Sequence, residues 1–304
     1  MAGRILLTGA TGFVGTYLAP LLRGRGFMVD AVGRAETGPL GPDTDWRPFL
    51  HEDTIGIIHL AGRAHVMREE EDNPDAAYDR VNRDATLALA DQAIEAGIRR
   101  FVYVSSVKAM GEQGLDLNPS SPPVPTDPYG RSKLAAEEGL LARAPSVDSV
   151  ILRPPLVYGP GVKANFLALL KAVDRGIPLP LGMVRNRRSL ISLKNLSDAL
   201  IHSLDCRPGI YCPTDAQPVS TPDLVLAIGT ALGKRPILLP VPVCLLKALG
   251  AVTGRKAAID RLTGDLTFSG WPPGWSPPQT LAEGLAETAA SYRTGTGMGR
   301  NRGY

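Results

Sequence analysis

A strand that runs straight into three glycines and then into a helix constrains this chain more than any other feature. Residues 5–7 are an apolar strand, Thr8-Gly9-Ala10-Thr11-Gly12-Phe13-Val14-Gly15 follow, and residues 16–22 read as helix. Each glycine has its own physical reason: Gly9 permits a tight turn, Gly12 lets backbone approach a pyrophosphate, and Gly15 lets helix and strand pack closely. The helix start adds N–H groups and the positive end of its dipole for the anion, so Phe13 and Val14 count with the glycines as cofactor-binding candidates. Placed after a strand, before a helix and at the head of an alternating pattern, the motif signals a dinucleotide site.

That alternation continues for half of the chain. β-branched apolar runs at 28–32, 55–60, 101–105 and 149–152 are separated by Ala-rich and Leu-rich stretches, the pattern of a parallel sheet covered by helices. Asn73 and Pro74 open one helix in the favoured cap order and Gly97 closes it; Asp127 and Pro128 open another. The expected architecture is α/β, a Rossmann-type doubly wound parallel sheet over residues 1–155, with returning segments around 186–215. Residues 156–304, where Pro and Gly become frequent, are expected to form mainly a smaller α+β substrate-binding region.

Composition excludes several functions. The chain has 304 residues, enough for a sizeable core, and 33 Lys and Arg against 30 Asp and Glu leave a net charge of +3. A nucleic-acid binder working by bulk charge needs far more clustered positive charge, so no such partner is expected. Cys206, Cys212 and Cys244 are too few and too badly spaced for a zinc site or a disulfide framework, and read as small buried hydrophobes. The chain lacks the pattern of a signal peptide, and its most apolar late segment, 241–252, is interrupted by Lys247 and too short to span a bilayer. The expectation is a cytoplasmic protein without a membrane partner, and a loose tail at 294–304.

Tyr129 and Lys133 stand four apart in the helix opened by Asp127 and share one face. A phenol is a poor proton carrier near neutrality, and a nearby ammonium favours its phenolate. Lys133 is placed to supply that charge and to hold a ribose. Upstream, Ser105 and Ser106 close the fourth strand at its carboxyl end, where open α/β sheets place ligands, and one serine there can hydrogen-bond a substrate alcohol or ketone. At the end of the second strand Arg34, with Glu36 two residues on, suits a 2′-phosphate and tilts the choice toward NADP; NAD stays open because an exposed Arg after a strand is commonly just solvated. Asp45 is a poorly placed candidate for an adenine contact. His59 reads as a strand residue beside the cofactor; His65 has no placed partner.

Taken together, Thr8 to Gly15, His59-Leu60-Ala61-Gly62, Val81-Asn82, Ser105-Ser106 with Gly111, Tyr129 to Lys133, and Leu152-Arg153-Pro154-Pro155-Leu156-Val157-Tyr158-Gly159-Pro160 resemble an extended short-chain dehydrogenase/reductase, within it the nucleotide-sugar epimerase/dehydratase group. The resemblance implies Ser106, rather than Ser105, as the catalytic hydroxyl beside Tyr129 and Lys133. It also implies Asn82 as a brace for the active-site helix and its proton-relay water, Leu60, Ala61 and Gly62 as cofactor lining, and Pro154 and Pro155 flanking the nicotinamide. Arg188 would contact the diphosphate of a sugar nucleotide, with Arg261 as a second phosphate partner; guanidinium suits that role because it pairs with phosphate oxygens bidentately. Lys108 and Asn165 join Ser106 as substrate-binding candidates. Asp198 and Asp265 match family positions or cap helices. A homodimer through helices around 74–96 and 128–144 is implied as well.

The function expected first is an NAD(P)H-dependent reductase of the 4-keto group of a UDP-linked 6-deoxy-N-acetylhexosulose in surface-polysaccharide synthesis. The second is a UDP-hexose 4-epimerase with tightly held NAD. The third is a dinucleotide-binding sensor without chemistry.

Overall fold

The structure, a computed structural model, describes residues 3–64 and 72–295. Its centre is a six-stranded parallel sheet built from β1 (Arg4–Thr8), β2 (Met28–Val32), β3 (Thr54–His59), β4 (Arg100–Val104), β6 (Asp148–Leu152) and β9 (Gly209–Tyr211), in the order β2-β1-β3-β4-β6-β9. Further short strands pair away from it: β5 (Gly114–Leu117) lies against β10 (Leu266–Phe268), and β7 (Leu156–Tyr158) against β8 (Leu190–Ser192). The helices of the first half are α1 (Gly15–Gly24), α2 (Arg34–Thr37), α3 (Pro74–Tyr78), α4 (Ala85–Glu95) and α5 (Pro128–Leu141). Those of the second half are α6 (Ala164–Asp174), α7 (Leu193–His202), α8 (Thr221–Leu232), α9 (Val243–Val252), α10 (Lys256–Thr263) and α11 (Leu281–Arg293).

The apolar runs without polar alternation have a simple cause: the sheet is covered on both faces. Ile5 and Leu7 of β1 point to the side packed by Leu18 and Leu22 of α1 and by Leu196 and Leu200 of α7. Leu6, between them, points to the other side, where Leu89 of α4 and Leu140 of α5 meet Phe101 and Ile151. Each fully buried Leu or Ile contributes roughly 1.5–3 kcal/mol relative to an exposed one. A third cluster, around Tyr158, Phe166, Leu170, Val225, Ile228 and Leu285, holds the second half together. The two halves are joined at Asp215, whose carboxylate accepts hydrogen bonds from the Tyr158 hydroxyl at 2.7 Å, the Ser192 amide at 2.9 Å and the Asn195 side chain at 2.7 Å.

Several expectations change. The helix expected from 73 to 97 is broken: Asn73 caps it and Gly97 follows it, but residues 79–84 between α3 and α4 wind as a π-turn. Residues 38–53 make no strand, so β2 is the outer edge of the sheet, and buried Trp46 fills the place beside it. Asp198 and Asp265 cap no helix: Asp198 pairs with Arg25 at 2.7 Å and accepts from the Trp275 indole at 3.0 Å, and Asp265 accepts from the Arg187 amide at 2.7 Å. Cys206 and Cys212 are buried as expected, whereas Cys244 is exposed. Most of the tail expected to be loose, from residue 296 onward, lies outside the described residues. Among the described residues no helix is long and apolar enough to cross a membrane.

Candidate active site

The order of the sheet places a crevice between the carboxyl ends of β1 and β3, because the connections leave β1 in opposite directions there. A cleft of about 840 Å³ occupies it, with Gly9, Gly12 and Phe13 on its floor. Gly9 takes a left-handed φ of 67°, and a Cβ on it would lie 2.7 Å from the Ala61 amide nitrogen. A Cβ on Gly15 would lie 2.4 Å from the Gly9 carbonyl oxygen. Both positions are packed against backbone, so glycine is required there for the tight turn and for the close contact of α1 with the strand end. Val14 precedes the first turn of α1.

Toward its outer end the cleft is walled by Gly33, Arg34, Leu40 and Trp46. Arg34 thus lies where the sequence placed it, but Glu36 turns back and its carboxylate accepts from the Gly33 amide at 2.7 Å. Asp45 is committed elsewhere, to Arg47 at 2.7 Å. Trp46 and Leu40 were not expected; an isolated Trp in an irregular stretch gives no periodic signal.

At the inner end, Leu60, Ala61 and Gly62 line the cleft, and the π-turn brings Val81 to it, with Asn82 behind the wall. Fully buried Asn82 accepts from the Arg63 amide at 2.8 Å and donates to the Arg63 carbonyl at 3.1 Å and to the Ser132 hydroxyl at 3.0 Å. It therefore ties the loop after β3 to α5. A Cβ on Gly62 would lie 2.8 Å from the Asn82 carbonyl oxygen and 3.5 Å from the Lys133 ammonium, so only glycine lets the chain pass here.

α5 begins where Asp127 accepts from the Gly130 amide at 2.7 Å, and it carries Tyr129, Lys133 and Glu137 on one face. The Lys133 ammonium donates to the Val104 carbonyl at 2.9 Å and sits 4.7 Å from the Tyr103 ring and 5.9 Å from the Tyr129 ring. Burial lowers Lys133 to a pKa of about 8, while the Glu137 carboxylate pulls it upward. Burial likewise pushes Tyr129 up to about 12, opposed by a hydrogen bond with the Ser106 side chain. The phenol is thus held above its ordinary range, contrary to the expectation that Lys133 makes it acidic: the cost of burying a phenolate dominates, with the Asp127 carboxylate adding to it.

The two serines turn to different partners. Ser106 reaches the phenol and accepts from the Lys108 amide at 3.2 Å, whereas the Ser105 hydroxyl donates to buried Glu137. Glu137 also accepts from Arg153 at 3.1 Å, forming an ion pair sealed beneath the site. Glu137 was missed, since a lone Glu on a helix ordinarily reads as a solvated position. Val107 donates to the Pro154 carbonyl at 3.2 Å, which fixes Pro154 and buried Pro155 beside the Ser106 turn. His59 is buried, its two ring nitrogens hydrogen-bonded to Thr8 at 2.7 Å and Thr86 at 3.0 Å, and burial drives its pKa to about 3. His65 lies outside the described residues.

The substrate-side candidates are more spread. The Lys108 ammonium is held by the carboxylates of Asp127 and of Glu112, the latter at 2.9 Å. Asn165 is exposed in the first turn of α6. Arg188 is half-buried, donates to the Gly264 carbonyl at 3.2 Å, and feels the fields of Arg261, Glu112 and Asp265. Burial, with the like charge of Arg261, lowers its pKa, so the site holds two guanidinium groups whose repulsion an anion would relieve.

A dinucleotide crevice beside a half-buried Tyr and a buried Lys, with a serine hydroxyl on the phenol, is the arrangement of an extended short-chain dehydrogenase/reductase, and the chain is an enzyme of that type. More narrowly, residues 5–210 match the NAD dependent epimerase/dehydratase family, to which the chain belongs. It is 40% identical to a UDP-glucose 4-epimerase of Vibrio cholerae, over 96% of both chains. It is 29% identical to a dTDP-4-dehydrorhamnose reductase of Mycolicibacterium smegmatis, over 78% of this chain and 71% of that one. Among solved structures it resembles MoeE5 in complex with UDP-glucuronic acid and NAD, with a TM-score of 0.74 and 25% identity, covering 96% of this chain and 100% of that one.

Proposed function

We propose that the chain is a UDP-hexose 4-epimerase working with NAD. The observation that carries this reading is the 40% identity to the Vibrio cholerae epimerase over nearly the whole of both chains, and it reverses the order of the two enzymatic readings expected from sequence. Tyr129 is assigned the proton transfer at the sugar C4 oxygen, and Ser106, hydrogen-bonded to the phenol, polarises that oxygen. Lys133 holds positive charge beside the phenol and binds ribose; Asn82 keeps α5 in place for both. Arg188, with Arg261, pairs with the diphosphate. Taking up hydride and returning it to the opposite ring face is the chemistry that a bound nicotinamide supplies. Glu36, folded onto the edge of the cleft beside Arg34, places a carboxylate where a 2′-phosphate would be repelled, which supports NAD over the NADP favoured from sequence.

The test is incubation with UDP-glucose and with UDP-N-acetylglucosamine, following the C4 epimers by chromatography and the cofactor by its near-ultraviolet absorbance. Epimer formation without net change in the cofactor is expected. Stoichiometric loss of reduced cofactor with a 4-keto sugar nucleotide, and no epimer, would instead establish the second reading, a UDP-linked 4-ketoreductase, which the likeness to the dTDP-4-dehydrorhamnose reductase supports.

A further inference from the structure

The most apolar late segment of the sequence enters the core along one side only, where Leu246 joins the third cluster. It forms α9, a ten-residue helix joined to α10 by a tight turn at Gly254, and Gly250 lets the two close together: a Cβ there would lie 2.8 Å from the Ile259 side chain. Only Leu246 and Gly250 of α9 are buried. Leu245, Leu249 and Val252, at the i, i+4 and i+7 positions of one stripe, are 59%, 61% and 86% exposed. Ile237 and Leu239, in the segment leading to α9, are exposed as well, and so is Met183, whose neighbour Gly182 donates to the Leu239 carbonyl at 3.0 Å. Such a ridge on a monomer surface calls for an occupant.

Charge identifies the occupant. Residues 224–259 contain Lys234, Arg235, Lys247, Arg255 and Lys256 and not one Asp or Glu. Lys247, Arg255 and Lys256, on the hairpin itself, are exposed; Lys234 lies 3.9 Å from Asp174, and Asp260 is the one acid of α10. A second copy seated on this face by twofold symmetry would set these cations against the same cations, because such an interface is self-complementary. An anionic bilayer offers both halves of the match: acyl chains for the leucine stripe and negative headgroups for its rim.

We propose that the α9–α10 hairpin is a membrane-docking surface that seats the enzyme peripherally on anionic lipid. This departs from the expectation of no membrane partner, which weighed only whether the segment spans. The hairpin is tied to the substrate end of the molecule, since Asn186 donates to the Leu262 carbonyl at 3.2 Å and Arg188 to that of Gly264.

The experiment is flotation of the full chain with phosphatidylcholine vesicles made with or without roughly a third phosphatidylglycerol. Partition at least about tenfold greater into the anionic vesicles is expected, falling as salt screens the headgroups. The triple variant Leu245→Ser, Leu249→Ser, Val252→Ser and the triple variant Lys247→Glu, Arg255→Glu, Lys256→Glu should each lose that partition while keeping turnover in solution. A readout that needs no variant is a polarity-sensitive dye on Cys244, the exposed thiol of α9: its emission should shift to the blue with anionic vesicles. Partition that is absent, or equal for both vesicle types, overturns the proposal. So does self-association abolished by the serine variant with no vesicle binding, which would make this face a contact between copies. Binding to an acidic protein with no vesicle binding overturns it equally.

Discussion

Burial, more than any single neighbour, sets the protonation of the residues at this site. Lys133, lowered to about 8, is charged at neutral pH and loses its proton just above it. A reaction that needs the ammonium is expected to slow as pH rises through about 8, measured as kcat/KM against pH; a rate that stays flat to pH 10 or so would show the charge to be dispensable. Tyr129→Phe keeps the ring and removes the proton: turnover should fall by about 10²- to 10⁴-fold with dinucleotide affinity nearly unchanged in titration calorimetry. His59 gives a stability prediction. Its folded pKa of about 3 lies below the ordinary 6.5, so between those values the unfolded chain holds a proton that the folded chain refuses. Stability present above pH 6.5 is then lost on acidification, by up to about 1.4 kcal/mol per pH unit from this residue. Thermal melts of His59→Gln should show a shallower decline over that window than the parent.

At the scale of the element, α5 is more than a carrier for Tyr129 and Lys133. One turn beyond Lys133, Glu137 meets Arg153 of the segment after β6, both nearly inaccessible to water. Glu137→Gln leaves a buried guanidinium short of its counter-charge, an effect of about 3 kcal/mol or more, seen as a drop in Tm of several degrees. The double variant Glu137→Leu with Arg153→Met should recover much of that loss, because apolar groups of similar size need no partner. What the sequence revealed here was uneven for physical reasons. Strand ends, caps at Asn73 and Asp127, and the glycine turn are local, and each was legible. The Glu137–Arg153 pair and the π-turn under Asn82 arise from packing between distant segments, and a single chain carries no local mark of either. Asn82 itself was reached only through its resemblance to a family motif.

For the molecule as a whole, the seam between the sheet and the second half runs through Asp215. Asp215→Ala strands the buried Tyr158 hydroxyl and leaves the Asn195 amide only the Gln279 carbonyl, at a cost of about 1–3 kcal/mol; a melt of unchanged midpoint would show that the seam is held by other contacts. The second half was the less legible in sequence because its strands β7 to β10 are three residues each, too short for alternation to register. The gap between the apolar runs at 28–32 and 55–60 was visible, but not its outcome, a sheet that ends at β2. That outcome has a practical consequence. The wall of the cleft next to Arg34 is a loop clipped to α4 by Gln92, which accepts from the Trp46 amide at 2.7 Å and donates to the Thr44 carbonyl at 2.9 Å. Grafting this short stretch from a homologue with the opposite coenzyme taste would retailor the pocket without unzipping a single rung of the ladder.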